Sequence, residues 1–155
     1  MSMYAMAGWL ILSISCQGDS PPPGDSPVQV CVVAILACER GNDVDPRLTD
    51  IAREVKKLET QLTSFRMAQR VCKSMPIGKA EHFELIDQEE ISVKIRHGVN
   101  ENNLVGVWVK VPGVGGITYQ TKCGKFFPII TRYKTKDKER LIVAIMVRPC
   151  PGEEK

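Results

Sequence analysis

The chain has 155 residues, of which 43% are hydrophobic and 25% are charged. A chain of this length supports one hydrophobic core, and this composition excludes an intrinsically disordered protein. The formal net charge is only +3, which by itself does not indicate a nucleic-acid-binding protein.

Residues 1–15 have the pattern of an export signal-type segment. Their apolar run, residues 4–14, is long enough for the core of a signal peptide but shorter than the roughly 18 residues of a membrane helix, so we expect no transmembrane span. Small residues at Ser13 and Ser15 precede Cys16, which leaves two routes open: cleavage at this small-x-small site, or lipidation of Cys16 in a lipoprotein. Both routes predict an exported protein in the periplasm, in the cell envelope or secreted.

The folded domain is predicted to begin after a polar connecting segment. Residues 16–27 are rich in Pro, Gly and Ser, which is typical of an extended tether. The domain is assigned to residues 28–150, and residues 151–155 form a charged tail. Its first element, Val28 to Cys38, is apolar at both alternating sets of positions. This pattern predicts a strand that is covered on both faces.

The sequence from Pro46 to Leu62 predicts the single helix. Asp45 supplies an N-cap, and Pro46 takes the first helical position, where an N–H group would have no helical partner. An apolar stripe follows with helical spacing: Leu48, Ile51, Ala52, Val55, Leu58 and Leu62. We expect this stripe, including Leu58, to be buried against a sheet.

The remainder of the chain predicts strands separated by short turns. The strands are Phe65 to Met75, Ala80 to Ile86, Ile91 to Gly98, Leu104 to Val111, Ile117 to Cys123, Phe126 to Tyr133 and Leu141 to Arg148. Short connections imply antiparallel pairing. The predicted fold class is therefore α+β: one mainly antiparallel β-sheet of about seven to eight strands with a single helix packed on it.

Four segments together carry a resemblance: Val-Val-Ala-Ile-Leu-Ala in the first strand, a helix that opens with Asp45 to Leu48, Ser64 to Arg66, and a final Arg140 to Ile145. In this order the chain resembles an uncharacterised family of small exported bacterial α+β domains over residues 28–148. The last two hairpins resemble the terminal strands of secretin-type outer-membrane proteins. These resemblances imply the fold and export, and they imply no chemistry.

The six cysteines do not form a recognisable metal site. They include no Cys-x-x-Cys pair, and no histidine lies beside them at ligand spacing, so neither a metal nor a cofactor is predicted. Cys31 and Cys38 fall on opposite faces of the first strand and cannot easily join each other. Buried cysteines that act as small apolar residues, and disulfides between strands, both remain open.

His82 and His97 are the histidines from which an enzyme would have to be built. Glu81 precedes His82, and a carboxylate beside a histidine can orient a general base, but alternation in a strand places Glu81 on the opposite face. The chain also has no Gly-x-Ser-x-Gly elbow. We expect structural histidines and no catalytic residue, with a small hydrolytic enzyme that uses His82 or His97 as an alternative.

The positive charge is concentrated near the last predicted turn. Five basic residues crowd around it: Arg132, Lys134, Lys136, Lys138 and Arg140. Such hairpins commonly protect strand edges and aid solubility, and they also contact anions. Tyr133 is the only aromatic residue among them, so a nucleic-acid binder is the less favoured alternative. We predict these five as binding residues of a non-catalytic cell-envelope or secreted binding or assembly domain. Its partner would be an anionic envelope component or a protein.

Overall fold

The computed structural model of this protein describes residues 26–149. The predicted export segment, Cys16, most of the tether and the tail lie outside these residues. The described elements are, in chain order, β1 (Val28–Cys38), a 3-10 turn (Pro46–Leu48), α1 (Thr49–Leu58), β2 (Ser64–Met75), β3 (Ala80–Glu84), a second 3-10 turn (Ile86–Gln88), β4 (Glu90–His97), β5 (Leu104–Val111), β6 (Gly115–Lys122), β7 (Phe127–Lys134) and β8 (Arg140–Pro149). The predicted α+β class, with a single helix, is confirmed.

The strands divide between two four-stranded sheets, where one sheet was predicted. Sheet A has the order β2-β1-β8-β7 and sheet B the order β3-β4-β5-β6. Neighbouring strands within each sheet are antiparallel, as predicted. One short helix cannot cover the apolar positions of eight strands, so the strands of sheet B bury theirs against sheet A.

The main core lies between the two sheets. β1 and β8 contribute one set of alternating residues to it, and β4 and β5 contribute another. Its fully buried members include Val30, Val32, Ile91, Ile95, Val107, Val109, Leu141 and Ile145. At the edge of the sandwich the rings of Tyr119 and Phe127 stack with their centroids 4.0 Å apart, which joins β6 of sheet B to β7 of sheet A.

A second core lies under α1, on the outer face of sheet A. Val55 is completely buried there against the alternate residues of β1 and β8, such as Ile35 and Ala144. The prediction for Leu58 is wrong, because its side chain is 75% exposed. The helix ends at Leu58, four residues earlier than predicted, and Leu58 lines an open groove with Phe126 and Phe127. No helix within residues 26–149 has both the length and the hydropathy to cross a bilayer.

A disulfide joins β1 to the edge strand β2. Cys31 and Cys72 stand directly opposite each other, with their Cα atoms 4.1 Å apart. Cys31 is buried and Cys72 is exposed. The sequence left both disulfides and buried free cysteines open. Cys31 and Cys72 form a disulfide, whereas Cys38 and Cys123 are free thiols.

Candidate binding surface at the β7–β8 hairpin

The basic hairpin is held by its own turn. Lys134 at the end of β7 pairs with Arg140 at the start of β8. Between them the Thr135 N–H donates to the Glu139 carbonyl at 2.9 Å, and the Glu139 N–H donates to the Thr135 hydroxyl at 3.2 Å. These bonds fix the backbone from which the lysine side chains project.

Three of the five predicted residues meet a fourth basic residue around one cavity. Lys134, Lys138 and Arg140 line a cavity of about 320 Å³ together with Arg40, which follows β1. Its remaining lining residues are Cys38, Glu39, Leu62 and Asp137. Sequence reasoning missed Arg40, because only the pairing of β1 with β8 brings the end of β1 beside the start of β8.

The other two predicted residues lie apart from this cavity. Lys136 is exposed and lines a neighbouring groove, to which Lys134 also contributes. Arg132 is exposed and its Cβ lies close to Gly113, in the turn between β5 and β6. The five basic residues therefore do not form one cluster.

Two acidic residues near this surface, Glu139 and Glu59, are paired with arginines. Arg66 donates two hydrogen bonds to the Glu139 carboxylate, at 2.8 and 2.7 Å, and this contact lowers the pKa of Glu139. Arg140 pairs with Glu59 at 3.3 Å. Among the ion pairs formed within residues 26–149, none includes Lys134, Lys136 or Lys138. The three lysines therefore present uncompensated charge to solvent.

The single aromatic residue of the hairpin is held by a hydrogen bond. The Tyr133 hydroxyl donates to the Asp87 carboxylate at 3.0 Å. This bond favours the protonated hydroxyl and raises the pKa of Tyr133. The Tyr133 ring is also partly buried against the main core, which limits the ring face that could stack on a base.

His82 has partners that sequence reasoning missed. Its Nδ1 lies 2.6 Å from the Glu90 carboxylate and 3.0 Å from the Ser92 hydroxyl. Both partners come from β4, where Ser92 is the register partner of His82. A serine–histidine–acid relay needs the hydroxyl and the carboxylate on different ring nitrogens, so this contact does not assemble one. The three side chains line an open groove.

His97 has a structural environment. Its Nδ1 lies 2.9 Å from the Gly98 carbonyl, which can only accept, so Nδ1 carries the proton. Its Nε2 faces the Gln120 amide nitrogen at 3.4 Å. No carboxylate within the described chain contacts this ring through a hydrogen bond or ion pair.

Other site chemistry is limited in the part of the chain from residue 26 to 149. No group of three or more His, Cys, Asp or Glu side chains there is placed to hold a metal ion. No protein-family model, no curated protein and no solved structure matches the chain.

Proposed function

We propose that this protein is a non-catalytic binding or assembly domain of the cell envelope, or a secreted one, that holds an anionic partner at its β7–β8 hairpin. The observation that carries the proposal is the convergence of Arg40, Lys134, Lys138 and Arg140 on one cavity. Basic side chains that line a concavity focus a positive potential and raise the local concentration of anions.

The charge balance of this surface supports the proposal. Arg66 neutralises Glu139, which lies in the hairpin turn. In the cavity lining, the carboxylates of Glu39 and Asp137 remain, against Arg40, Lys134 and Lys138, and none of the three basic residues forms an ion pair within the described chain. Arg140 adds a further positive charge that is paired with Glu59. Each exposed pair with a ligand would contribute at most about 1 kcal/mol, so binding must come from several charges acting together.

The disulfide supports an exported location. Disulfides persist in oxidising compartments such as the periplasm and the extracellular space, and they are rare in the cytosol. The Cys31–Cys72 bond is therefore consistent with the export pattern of residues 1–15. We propose the cell envelope or the medium as the location, with Cys16 as the candidate lipid-anchor position.

A charge-removal variant tests the hairpin. Lys134→Gln, Lys136→Gln and Lys138→Gln together should leave the melting temperature nearly unchanged, because all three side chains are exposed. Retention of the full chain on a carboxymethyl matrix, and its binding to vesicles that contain phosphatidylglycerol, should fall sharply. Wild-type binding should weaken steeply as salt is added.

The matched control removes the same charge from another surface. Lys79→Gln, Lys122→Gln and Lys125→Gln change three exposed lysines that line neither the hairpin cavity nor the neighbouring groove. If this control loses retention as strongly as the hairpin variant, binding depends on net charge alone. Unchanged retention of the hairpin variant would contradict the proposal and mean that the hairpin lysines only keep a strand edge solvated.

Two alternatives remain as proposals. A small hydrolytic enzyme would use His82 with Glu90, and His82→Ala would then abolish hydrolysis of a model ester. The shared contact on Nδ1 and the open groove favour the binding domain over this enzyme. A nucleic-acid binder would need free aromatic rings at the hairpin, and the Tyr133 ring is tied to Asp87.

A further inference from the structure

The outer face of sheet B has an aromatic residue at its centre. Alternate residues of β4, β5 and β6 point away from the core, and Trp108 lies in the middle of β5 among them. Its register partners are Lys94 on β4 and Thr118 on β6. The Trp108 side chain is partly exposed. The outer face of sheet A is covered by α1, whereas no helix of the described chain covers this face of sheet B.

A glycine makes room for the indole ring. A Cβ atom built on Gly116 would lie 3.2 Å from the indole Nε1, and 3.6 and 3.7 Å from two further ring atoms. The ring therefore occupies the space that a side chain on β6 would take. Its N–H makes no hydrogen bond to any other residue between 26 and 149, so it is available to a ligand.

A second glycine places another ring beside the first. A Cβ atom on Gly106 would lie 2.4 Å from the His97 ring, so this imidazole lies directly over β5. Gly106 is two positions from Trp108 and faces the same side. The Gln120 amide contacts the imidazole from β6. Two rings thus lie on a single sheet face because their neighbours are glycines.

Polar and basic side chains surround the rings. Lys94 and Lys110 are exposed, and neither belongs to an ion pair within the described chain. Thr118 and Gln120 add a hydroxyl and an amide on the β6 side. A partly exposed indole ring with hydroxyl, amide and ammonium groups around it matches a ligand that has an apolar ring face, many hydroxyls and some carboxylates.

We propose that the outer face of sheet B binds an acidic polysaccharide, with a sugar ring stacked on Trp108 and its carboxylates paired with Lys94 and Lys110. The disulfide favours a glycan over a nucleic acid, because it indicates an oxidising compartment outside the cytosol. Single-stranded nucleic acids also need a series of stacking rings along a basic groove, and this face offers one tryptophan. This site is separate from the hairpin and does not depend on its proposed role.

A uronic-acid oligomer tests the proposal on the full chain. Oligogalacturonate should shift the indole N–H resonance of Trp108 in a proton–nitrogen NMR spectrum, and Trp108→Phe distinguishes this signal from that of Trp9. Trp108→Ala should weaken the affinity at least about tenfold, the order expected for loss of one stacking contact. Lys94→Gln with Lys110→Gln should weaken it and reduce its salt dependence. Gly116→Ala keeps the tryptophan in the sequence but should also weaken the affinity, because the added methyl would lie 3.2 Å from the indole Nε1 and the ring would have to shift to accommodate it.

Controls separate the other outcomes. The hairpin variant Lys134→Gln, Lys136→Gln, Lys138→Gln should show the same Trp108 indole shift, at the same oligogalacturonate concentrations, as wild type. This resonance reports the sheet B face whether or not the hairpin also binds the oligomer, so the two proposals can fail independently. Equal affinity for the methyl-esterified oligomer would overturn the role of the lysines. Tighter binding of oligothymidylate through Trp108 would overturn the glycan, and no shift at millimolar oligogalacturonate would overturn the site. Unchanged melting temperatures show that each variant is folded.

Discussion

The outer faces of the two sheets are built from similar strands and have opposite surroundings. Sheet A carries α1 on its outer face, where Val33, Ile35 and Ile142 are buried. Sheet B has no helix of residues 26–149 over its outer face, and Lys94 and Lys110 are exposed on it. The difference follows from the strand sequences. β1 and β8 are apolar at consecutive positions and can be buried on both faces, whereas apolar and polar residues alternate in β4 and β5. The covered face of sheet A contributes to stability, whereas the open face of sheet B is accessible to a ligand.

The largest expected effect breaks the cover of sheet A. Val55→Asp places a carboxylate in a site with no exposed surface, among apolar side chains, and should lower the free energy of unfolding by about 4 kcal/mol or more. Leu58→Asp is the matched control. Its site is 75% exposed, so the loss should stay below about 1 kcal/mol, including the unfavourable charge at the helix C-terminus.

Urea unfolding of both variants checks this prediction. Equal losses for the two substitutions would mean that α1 packs on sheet A through a different stripe. Near-native stability of Val55→Asp would mean that the helix does not cover the sheet at all.

The Cys31–Cys72 disulfide, like the packing of α1, should stabilise sheet A. It links residues 41 positions apart, and closing a loop of that length should contribute about 4 kcal/mol by restricting the unfolded chain. Reductant, or Cys31→Ala with Cys72→Ala, should lower the urea midpoint accordingly. Cys38→Ser with Cys123→Ser is the control, since both thiols are free, and it should respond to reductant as wild type does. A reductant effect that disappears in this control variant would contradict the pairing.

The strands and the start of the helix could be predicted because each depends on neighbouring residues. Alternation in β4 and β5, and the cap at Asp45, are local patterns. The division into two sheets could not be predicted. The turn after β2 leads from sheet A to β3 of sheet B, but it contains the same kinds of residues as a hairpin turn within one sheet.

The sites show the same limit. Arg40 joins the hairpin lysines only through the pairing of distant strands, and Glu90 reaches His82 through the β3–β4 register. Leu58 continues the apolar period of the helix, but it lies at an open groove beside Phe126 and Phe127 and is 75% exposed. Periodicity indicates which residues could share a face, whereas the extent of the covering surface depends on the tertiary fold.

The smallest expected effect concerns the residue that anchors the start of the helical cover. The Asp45 carboxylate accepts hydrogen bonds from the Arg47 side chain and from its backbone N–H, and these lower the pKa of Asp45 from 3.8 to about 2. Because the folded-state pKa lies below the unfolded value, this contribution to stability is complete above about pH 4 and is lost as the pH falls to 2. Asp45→Asn keeps a capping oxygen and removes the charge.

The Asp45→Asn variant should therefore melt close to wild type at pH 2, and the difference between the two melting temperatures should grow as the pH rises from 2 to 4 and then stay constant. Melting curves recorded at intervals of half a pH unit measure this difference. Two parallel profiles would show that the Asp45–Arg47 contact does not persist in solution and that the proline and the apolar stripe alone fix where the helical cover begins.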